Sequence, residues 1–160
     1  NNWVPDTYAL DIKTLDEISS VVYELKKKKR KIIFTNGCFD ILHIGHIKYL
    51  EKAKSFGDVL ILGLNSDDSI RKLKGQNRPI NPQMDRAYIL ASLEVVDYLV
   101  IFNEDTPIEL IKLIEPDVLV KGGDYEGKEV VGQNIAKELK LVAFIDDKST
   151  TKIIERIQKT

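Results

Sequence analysis

The chain has 160 residues, with 24 Lys and Arg against 25 Asp and Glu and a formal net charge of −1, so no global basic field draws it to nucleic acid or to an anionic membrane. Hydrophobic residues make up 43% and charged residues 31%, the balance of one globular domain, and no apolar run approaches the roughly 20 residues of a membrane span. One cysteine excludes an internal disulfide framework and no signal-peptide pattern opens the chain, which reads most simply as a cytoplasmic protein.

The chain begins at Asn1 rather than Met, which reads as a processed product or a piece of something longer. Residues 1–13 show no clear periodicity; Trp3, Pro5 and Tyr8 either pack on the domain or belong to a linker. The expected organisation is therefore an extension or linker over 1–13 and one domain over 14–160. Thr14-Leu15-Asp16-Glu17 is a capping box opening a helix whose apolar stripe is Leu15, Ile18, Val22 and Leu25. The helix runs into six basic residues, Lys26 to Lys31. Such a run can mark a nucleic-acid patch, but cations at a helix C-terminus also complement the macrodipole, and that reading is preferred.

Lys31 to Phe34 is a short apolar run with β-branched residues, as a strand buried on both faces requires. Asn36-Gly37 stops it in a tight turn. A helix starts near Ile44, with Ile47, Leu50 and Lys54 on one stripe and Tyr49 and Ala53 beside it. Phe56-Gly57-Asp58 ends that helix, and Val59 to Leu64 is a second buried strand. Asn65-Ser66-Asp67-Asp68 caps a short helix, Ser69 to Leu73. Lys74 to Asn81 reads as an exposed loop. Asn81 then caps a helix with Pro82 at its first position and Ile89, Leu90 and Leu93 as its apolar residues. Tyr98 to Phe102 is the third strand. Thr106-Pro107-Ile108-Glu109 reads as a second capping box, with Leu110, Ile111 and Ile114 facing inward. Asp117 to Val120 is the fourth strand, ending at Gly122-Gly123. A helix is expected over 131–139 and a fifth strand over Leu141 to Ile145. Ser149 caps the last helix, with Ile153, Ile154 and Ile157 apolar.

Strands alternate with helices throughout, so the fold class is α/β, a parallel sheet covered on both faces with right-handed crossovers. A ligand belongs at the carboxyl ends of the strands, at the topological switch point. The polar motifs fall there, just after strands, at 35–46, 65–67, 121–125 and 146–151. No G-x-G-x-x-G follows the first strand, no Walker-type loop is present, and no nucleophile elbow occurs. His43 and His46 sit three residues apart at a helix start with Gly45 between them, so both can face the same way toward an anion at the helix N-terminus. They could equally be surface residues or part of a metal site. A metal site needs further ligands, and Cys38 is the only Cys and no other His exists; no protein-held metal is expected.

Thr35-Asn36-Gly37-Cys38-Phe39-Asp40 followed by His43-Ile44-Gly45-His46 resembles the first signature of the cytidylyltransferase-like nucleotidyltransferase superfamily, and Ser149-Thr150-Thr151-Lys152 resembles its second. Leu73-Lys74-Gly75, Arg78-Pro79, Asn81-Pro82 and Val120-Lys121-Gly122-Gly123-Asp124-Tyr125 resemble its heptose 1-phosphate adenylyltransferase branch, often one half of a bifunctional protein. The resemblance covers roughly 11–159. It implies a Rossmann-like three-layer α/β/α fold with a five-stranded parallel sheet in the order 3-2-1-4-5. It also implies transfer of AMP from ATP to a heptose 1-phosphate, giving ADP-heptose for lipopolysaccharide core synthesis. ATP is then the nucleotide substrate, with Mg²⁺ held mainly by the triphosphate, and the chain is fused to or works with a sugar kinase. Nucleic acid and membrane are not expected partners; a homo-oligomer is compatible with the sequence.

In this resemblance the nucleophile is already an anion, so positioning and charge stabilisation replace acid–base machinery. His43, His46, Lys74 and Arg86 are the expected catalytic residues. Thr35, Asn36, Gly37, Cys38, Phe39, Gly45, Gly122, Gly123, Asp124, Tyr125, Ser149, Thr150 and Thr151 are expected around the nucleotide. Asp40, Asn65, Lys72 and Arg78 are expected near the acceptor, with Asp40 also a candidate for bonding the turn's own N–H groups. Cys38 reads as a packing residue, since this chemistry needs no thiol. Some cytidylyltransferases carry an Arg shortly before the second signature; Asp146-Asp147-Lys148 stands there instead, leaving Lys148 or Lys152 as substitutes. The competing expectations are a glycerol 3-phosphate or ethanolamine phosphate cytidylyltransferase, which Lys48 after the histidine motif favours, and a non-catalytic nucleotide-binding module.

Overall fold

In the computed structural model, which describes residues 11–123, 128–143 and 149–160, the apolar runs assemble into one parallel sheet of six strands. The elements in order are β1 (Ile12–Lys13), α1 (Leu15–Lys27), β2 (Ile32–Gly37), α2 (Ile44–Lys54), β3 (Val59–Asn65), α3 (Asp67–Lys74), α4 (Gln83–Ala91), β4 (Tyr98–Phe102), α5 (Ile108–Ile114), β5 (Val118–Gly122), β6 (Glu138–Val142) and α6 (Thr150–Gln158). The sheet order is β1-β4-β3-β2-β5-β6. The five expected strands hold their expected order, and Ile12–Lys13 adds a sixth at the edge, paired with Leu99 and Val100 of β4. Two residues are too few for periodicity to reveal a strand, so the sequence reading of 1–13 missed it.

Strand alternation sorts the core to two faces. Ile33, Leu60, Leu62 and Leu64 pack with Tyr49, Leu50 and Ala53 of α2 and Ala87 and Leu90 of α4. Ile32, Phe34, Val59 and Ile61 pack with Ile18 and Val22 of α1 and Leu110, Ile111 and Ile114 of α5. β3 is buried along its whole length, as a central strand covered on both faces must be. No helix among the described residues is long and apolar enough to cross a membrane.

Several local expectations are corrected. The capping box at Thr14 forms as read, but α4 and α5 begin with Pro82 and Pro107 as their caps and without a side-chain capping bond. Asn81 donates instead to Asp40. Of the apolar helix residues, Ile89 and Ile157 are exposed, as is Leu15 of the α1 stripe. Residues 131–137 make turns, not a helix. Gly132 there has φ +87° and lies so close to α5 that a Cβ would meet Ile111 at 2.6 Å. β6 then starts at Glu138, whose N–H donates to the Asp117 carbonyl at 2.9 Å, earlier than the expected 141; the end of the expected strand lies outside the described residues.

The switch point falls between β2 and β5, because the chain runs outward from β2 through β3 to β4 and returns on the other side. β2 pairs with β3 over six positions, Ile32 to Gly37, but with β5 only at Ile33 and Phe34. Beyond Phe34 side chains replace the ladder: Thr35 Oγ1 donates to the Val120 carbonyl at 2.9 Å, and Tyr49 Oη to the same carbonyl at 3.2 Å.

Candidate active site

The turn after β2 delivers both histidines to the N-terminus of α2. His43 is the N-cap, with extended backbone, and its Nδ1 accepts the Gly45 N–H at 3.0 Å. His46 Nδ1 accepts the His43 N–H at 3.3 Å. The imidazoles thus form a capping box of their own and stack at 3.9 Å. A ring nitrogen that accepts a hydrogen bond carries the lone pair, so in each neutral ring the proton is on Nε2. His46 also packs against Phe39, centroids 5.3 Å apart. Burial, then the neighbouring His43, pull its pKa down to about 4 against the opposing field of Asp40. His46 is therefore neutral near pH 7 and acts as a hydrogen-bond donor, not a cation. Gly37 lets the Phe39 ring approach, since a Cβ there would lie 2.8 Å from it.

Two of the expected site residues are held by several protein partners. The Arg86 side chain is fully buried. Its Nε donates to the Asn81 carbonyl at 2.9 Å, Nη1 to the Cys38 and Asn65 carbonyls, both at 2.9 Å, and Nη2 to Asp67 at 2.8 Å. It is a hub that joins the turn after β2, the end of β3 and the start of α4. Asp40 is 3% exposed; it accepts from Ile80 N–H at 2.7 Å, Asn81 N–H at 2.9 Å and Arg78 Nε at 3.3 Å. It binds the 78–81 loop, not its own turn, and Arg78 is held with it. Asn65 is likewise buried, its amide donating to Ser69 Oγ at 2.9 Å. These groups are engaged by protein partners that tie together the elements around the crevice.

The remaining candidates divide. Thr35 is fully buried with its hydroxyl between Tyr49 and Val120. Asn36 Oδ1 accepts from the ammonium of Lys121. Gly45 N–H is engaged by His43, and Gly123 N–H donates to the Val142 carbonyl at 3.0 Å; Gly122 ends β5. Cys38 is a half-buried free thiol. Burial raises its pKa despite the nearby positive charges of Lys74, Arg86 and Arg78, the opposite of an activated thiolate. Lys74 is exposed at the end of α3, close enough to act electrostatically on Cys38 and His46; no such influence ties Lys72 to the site. Ser149 Oγ caps α6 through the Lys152 N–H at 3.0 Å. The Thr150 hydroxyl donates to the Ile41 carbonyl at 3.2 Å, docking α6 onto the histidine turn, and Thr151 is exposed. Asp124, Tyr125 and the Asp146-Asp147-Lys148 stretch lie outside the described residues.

The basic run lies at the other end of the sheet, beside a cavity of about 680 Å³ lined by Lys26, Lys29, Arg30 and Lys137 among others. Lys26 pairs with Glu115 at 3.6 Å and Lys31 with Glu138 at 3.7 Å, in keeping with a solvated helix end. Lys121 belongs to the 120–125 motif quoted above but has no role assigned to it there. Its signal was present: a lysine continuing the apolar run Val118 to Val120 has no reason to be there if the strand end is only core.

The chain matches the family model described as Cytidylyltransferase-like over residues 34–156. It is 70% identical over 148 residues to the bifunctional protein HldE of Aliarcobacter butzleri, covering 92% of this chain and 31% of that protein. It is 65% identical over 147 residues to HldE of Nitratiruptor sp., covering 92% and 32%. The chain thus spans about a third of the length of the curated relatives it matches. Among solved structures it resembles a lipopolysaccharide core biosynthesis protein of Thermoplasma volcanium, with TM-score 0.59 and 28% identity over 74% of this chain and 99% of that one. Pantoate-β-alanine ligase of Francisella tularensis, at TM-score 0.60 and 19% identity over 93% and 78% of the two chains, shares the fold.

Proposed function

Since the chain belongs to the cytidylyltransferase-like family, we propose that it transfers AMP from ATP to D-glycero-β-D-manno-heptose 1-phosphate, forming ADP-heptose and pyrophosphate. One observation carries the chemistry: two stacked imidazoles at a helix N-terminus whose Nδ1 atoms accept backbone N–H groups, which places the proton of each neutral ring on Nε2. The acceptor choice is supported by 70% identity to a bifunctional HldE.

In the proposed reaction a phosphate oxygen of the acceptor attacks the α-phosphorus in line. One P–O bond forms, the α–β bridging P–O bond breaks, and pyrophosphate leaves with its electron pair. The nucleophile is already anionic, so no base is needed, and a His46 with a pKa near 4 would be a poor general acid at neutral pH. His43 and His46 donate to oxygens that gain charge in the transition state. Lys74 adds a positive field from the 74–81 loop, and Asp40 and Arg86 hold that loop and the histidine turn in register. The backbone at 35–39, the glycines at 122 and 123, and the α6 start at Ser149, Thr150 and Thr151 surround the nucleotide. Mg²⁺ would neutralise charge on the triphosphate; it fits as a passenger of ATP, since the nearby carboxylates Asp40 and Asp67 are engaged by protein donors. Partnership with a sugar kinase, within one longer chain or as a separate protein, belongs to the same proposal.

A glycerol 3-phosphate cytidylyltransferase is the second reading. The residue that favoured it, Lys48, pairs with Glu51 at 3.6 Å on an exposed face of α2, which weakens it. The test is to supply ATP or CTP with heptose 1-phosphate or glycerol 3-phosphate and to measure pyrophosphate. Turnover is expected with ATP and heptose 1-phosphate. CDP-glycerol formation with no turnover on that pair would replace the assignment, and no pyrophosphate from any pair would favour a binding module.

A further inference from the structure

We propose that Lys121 is a phosphate-contacting residue, a buried ammonium held on the amide of Asn36 until a phosphate oxyanion enters the crevice between β2 and β5. This rests on the nucleotidyl-transfer reading and adds a group which that reading leaves without a role.

Lys121 is the fourth residue of β5, and its backbone lies beside Leu141 of β6. Its side chain reaches the other way, across the line where the β2–β5 ladder has stopped, to Asn36 Oδ1. Only 9% of the residue is exposed. Among the described residues no carboxylate pairs with it, and burial alone shifts its pKa, down to about 8. It therefore still carries its charge at neutral pH in most molecules.

A buried cation whose partner is one neutral carbonyl is poorly compensated. Desolvating an ammonium costs several kcal/mol, and a single amide oxygen recovers only part of that cost. Elsewhere among the described residues buried charges are matched: Arg86 has Asp67 and three carbonyls, and Asp40 has Arg78 and two N–H groups. Lys121 departs from this rule at the switch point, where an α/β sheet binds its ligand. An apolar side chain would serve the core better there, so the ammonium is explained by an incoming anion. The surrounding donors favour the same occupant, since neutral His46 carries its proton on Nε2. The anion has two sources, the nucleotide's phosphate chain or the acceptor's phosphate.

The experiment compares the unaltered chain with Lys121→Met, which keeps length and loses charge, and Lys121→Arg, which keeps charge. Binding of inorganic tripolyphosphate, Mg·ATP, adenosine and a sugar 1-phosphate is titrated, and the ligand-free melting temperature is recorded. Losing a charged hydrogen bond predicts weakening of about 10–100-fold in the Met variant for the anion that Lys121 holds. Adenosine affinity should be unchanged, the melting temperature equal or higher, and the Arg variant should recover part of the affinity. Loss on tripolyphosphate assigns the nucleotide's chain; loss on the sugar phosphate alone assigns the acceptor. Unchanged affinity for every anion, with a lowered melting temperature, makes Lys121 a mere strut on Asn36 and overturns the proposal. A parent chain that binds tripolyphosphate through Lys121 but transfers no AMP would sink the functional reading and leave this one standing. A parent that transfers AMP while its Met variant binds every anion as well as the parent does would do the reverse.

Discussion

At the scale of single residues, the histidine pair shows how one side chain can serve structure and chemistry at once. Nδ1 closes the helix start, so the tautomer of the neutral ring, with its proton on Nε2, is set by the fold. His46→Ala should lower turnover about 10²–10³-fold, the usual loss for one transition-state donor, with modest change in Mg·ATP affinity; near-normal turnover in steady-state assays would remove His46 from the mechanism. The same residue makes the fold acid-sensitive. Its folded pKa of about 4 lies below the unfolded value of 6.5, so between those values the unfolded chain binds more protons and stability falls as pH falls. At pH 7 the effect is absent. Near pH 4 it should reach on the order of 1–2 kcal/mol after screening of a partly exposed ring, and His46→Gln should flatten that part of the urea-unfolding profile. Residue roles were legible only as far as type allows. Arg86 and Asp40 carry charges that suit a phosphate or a sugar hydroxyl, and the same charges suit backbone carbonyls and N–H groups. Nothing in one sequence says which partner lies within 3 Å.

At the scale of elements, the strands were legible because burial on both faces demands continuous apolar runs, and β2 through β5 show them. Helix starts were less so. Pro82 and Pro107 occupy the cap itself, since proline's fixed φ suits both the extended backbone of Pro82 and the φ −81°, ψ 14° of Pro107 as well as the first residue inside a helix. The segment 131–139 carries apolar residues at helical spacing, yet Gly132 takes a left-handed φ against α5, and tertiary contact wins over periodicity. The loop over 75–81 was read as exposed, which its middle is, but its far end is tied to Asp40. Asp40→Asn should loosen that tie, because an amide accepts with one oxygen where the carboxylate uses two. About 1.5–3 kcal/mol per charged hydrogen bond is at stake. Trypsin cleavage after Lys74 should speed up and the acceptor KM should rise, while the core melts as one unit. Unchanged cleavage kinetics would mean the loop is held by something other than Asp40.

At the scale of the whole molecule, strand order followed from the family resemblance and not from composition, because alternation of strand and helix fits several doubly wound orders. The edge strand at Ile12–Lys13 was beyond reach for lack of length. The switch point has a mechanical meaning as well as a chemical one. A sheet joined by six backbone pairs on one side of β2 and two on the other behaves as two stiff plates with a notch cut into their seam. Four strands form the wider plate and β5 with β6 the narrower, and bending should concentrate along the line from Phe34 to Thr35. α2 spans the seam, packing Leu50 and Ala53 into the core while its Tyr49 hydroxyl donates to the Val120 carbonyl of β5, and β5 carries Lys121 and Gly122, so movement at the notch changes how the candidate ligand groups on its two sides face each other. Amide exchange at the β2–β5 seam should therefore be faster than at the β2–β3 ladder in the free chain and slow markedly with Mg·ATP; equal rates in both ladders would describe a rigid plate. The proposed reaction needs no proton transfer and asks mainly for compression of the reacting groups, and a sheet with one compliant seam is a spring suited to that.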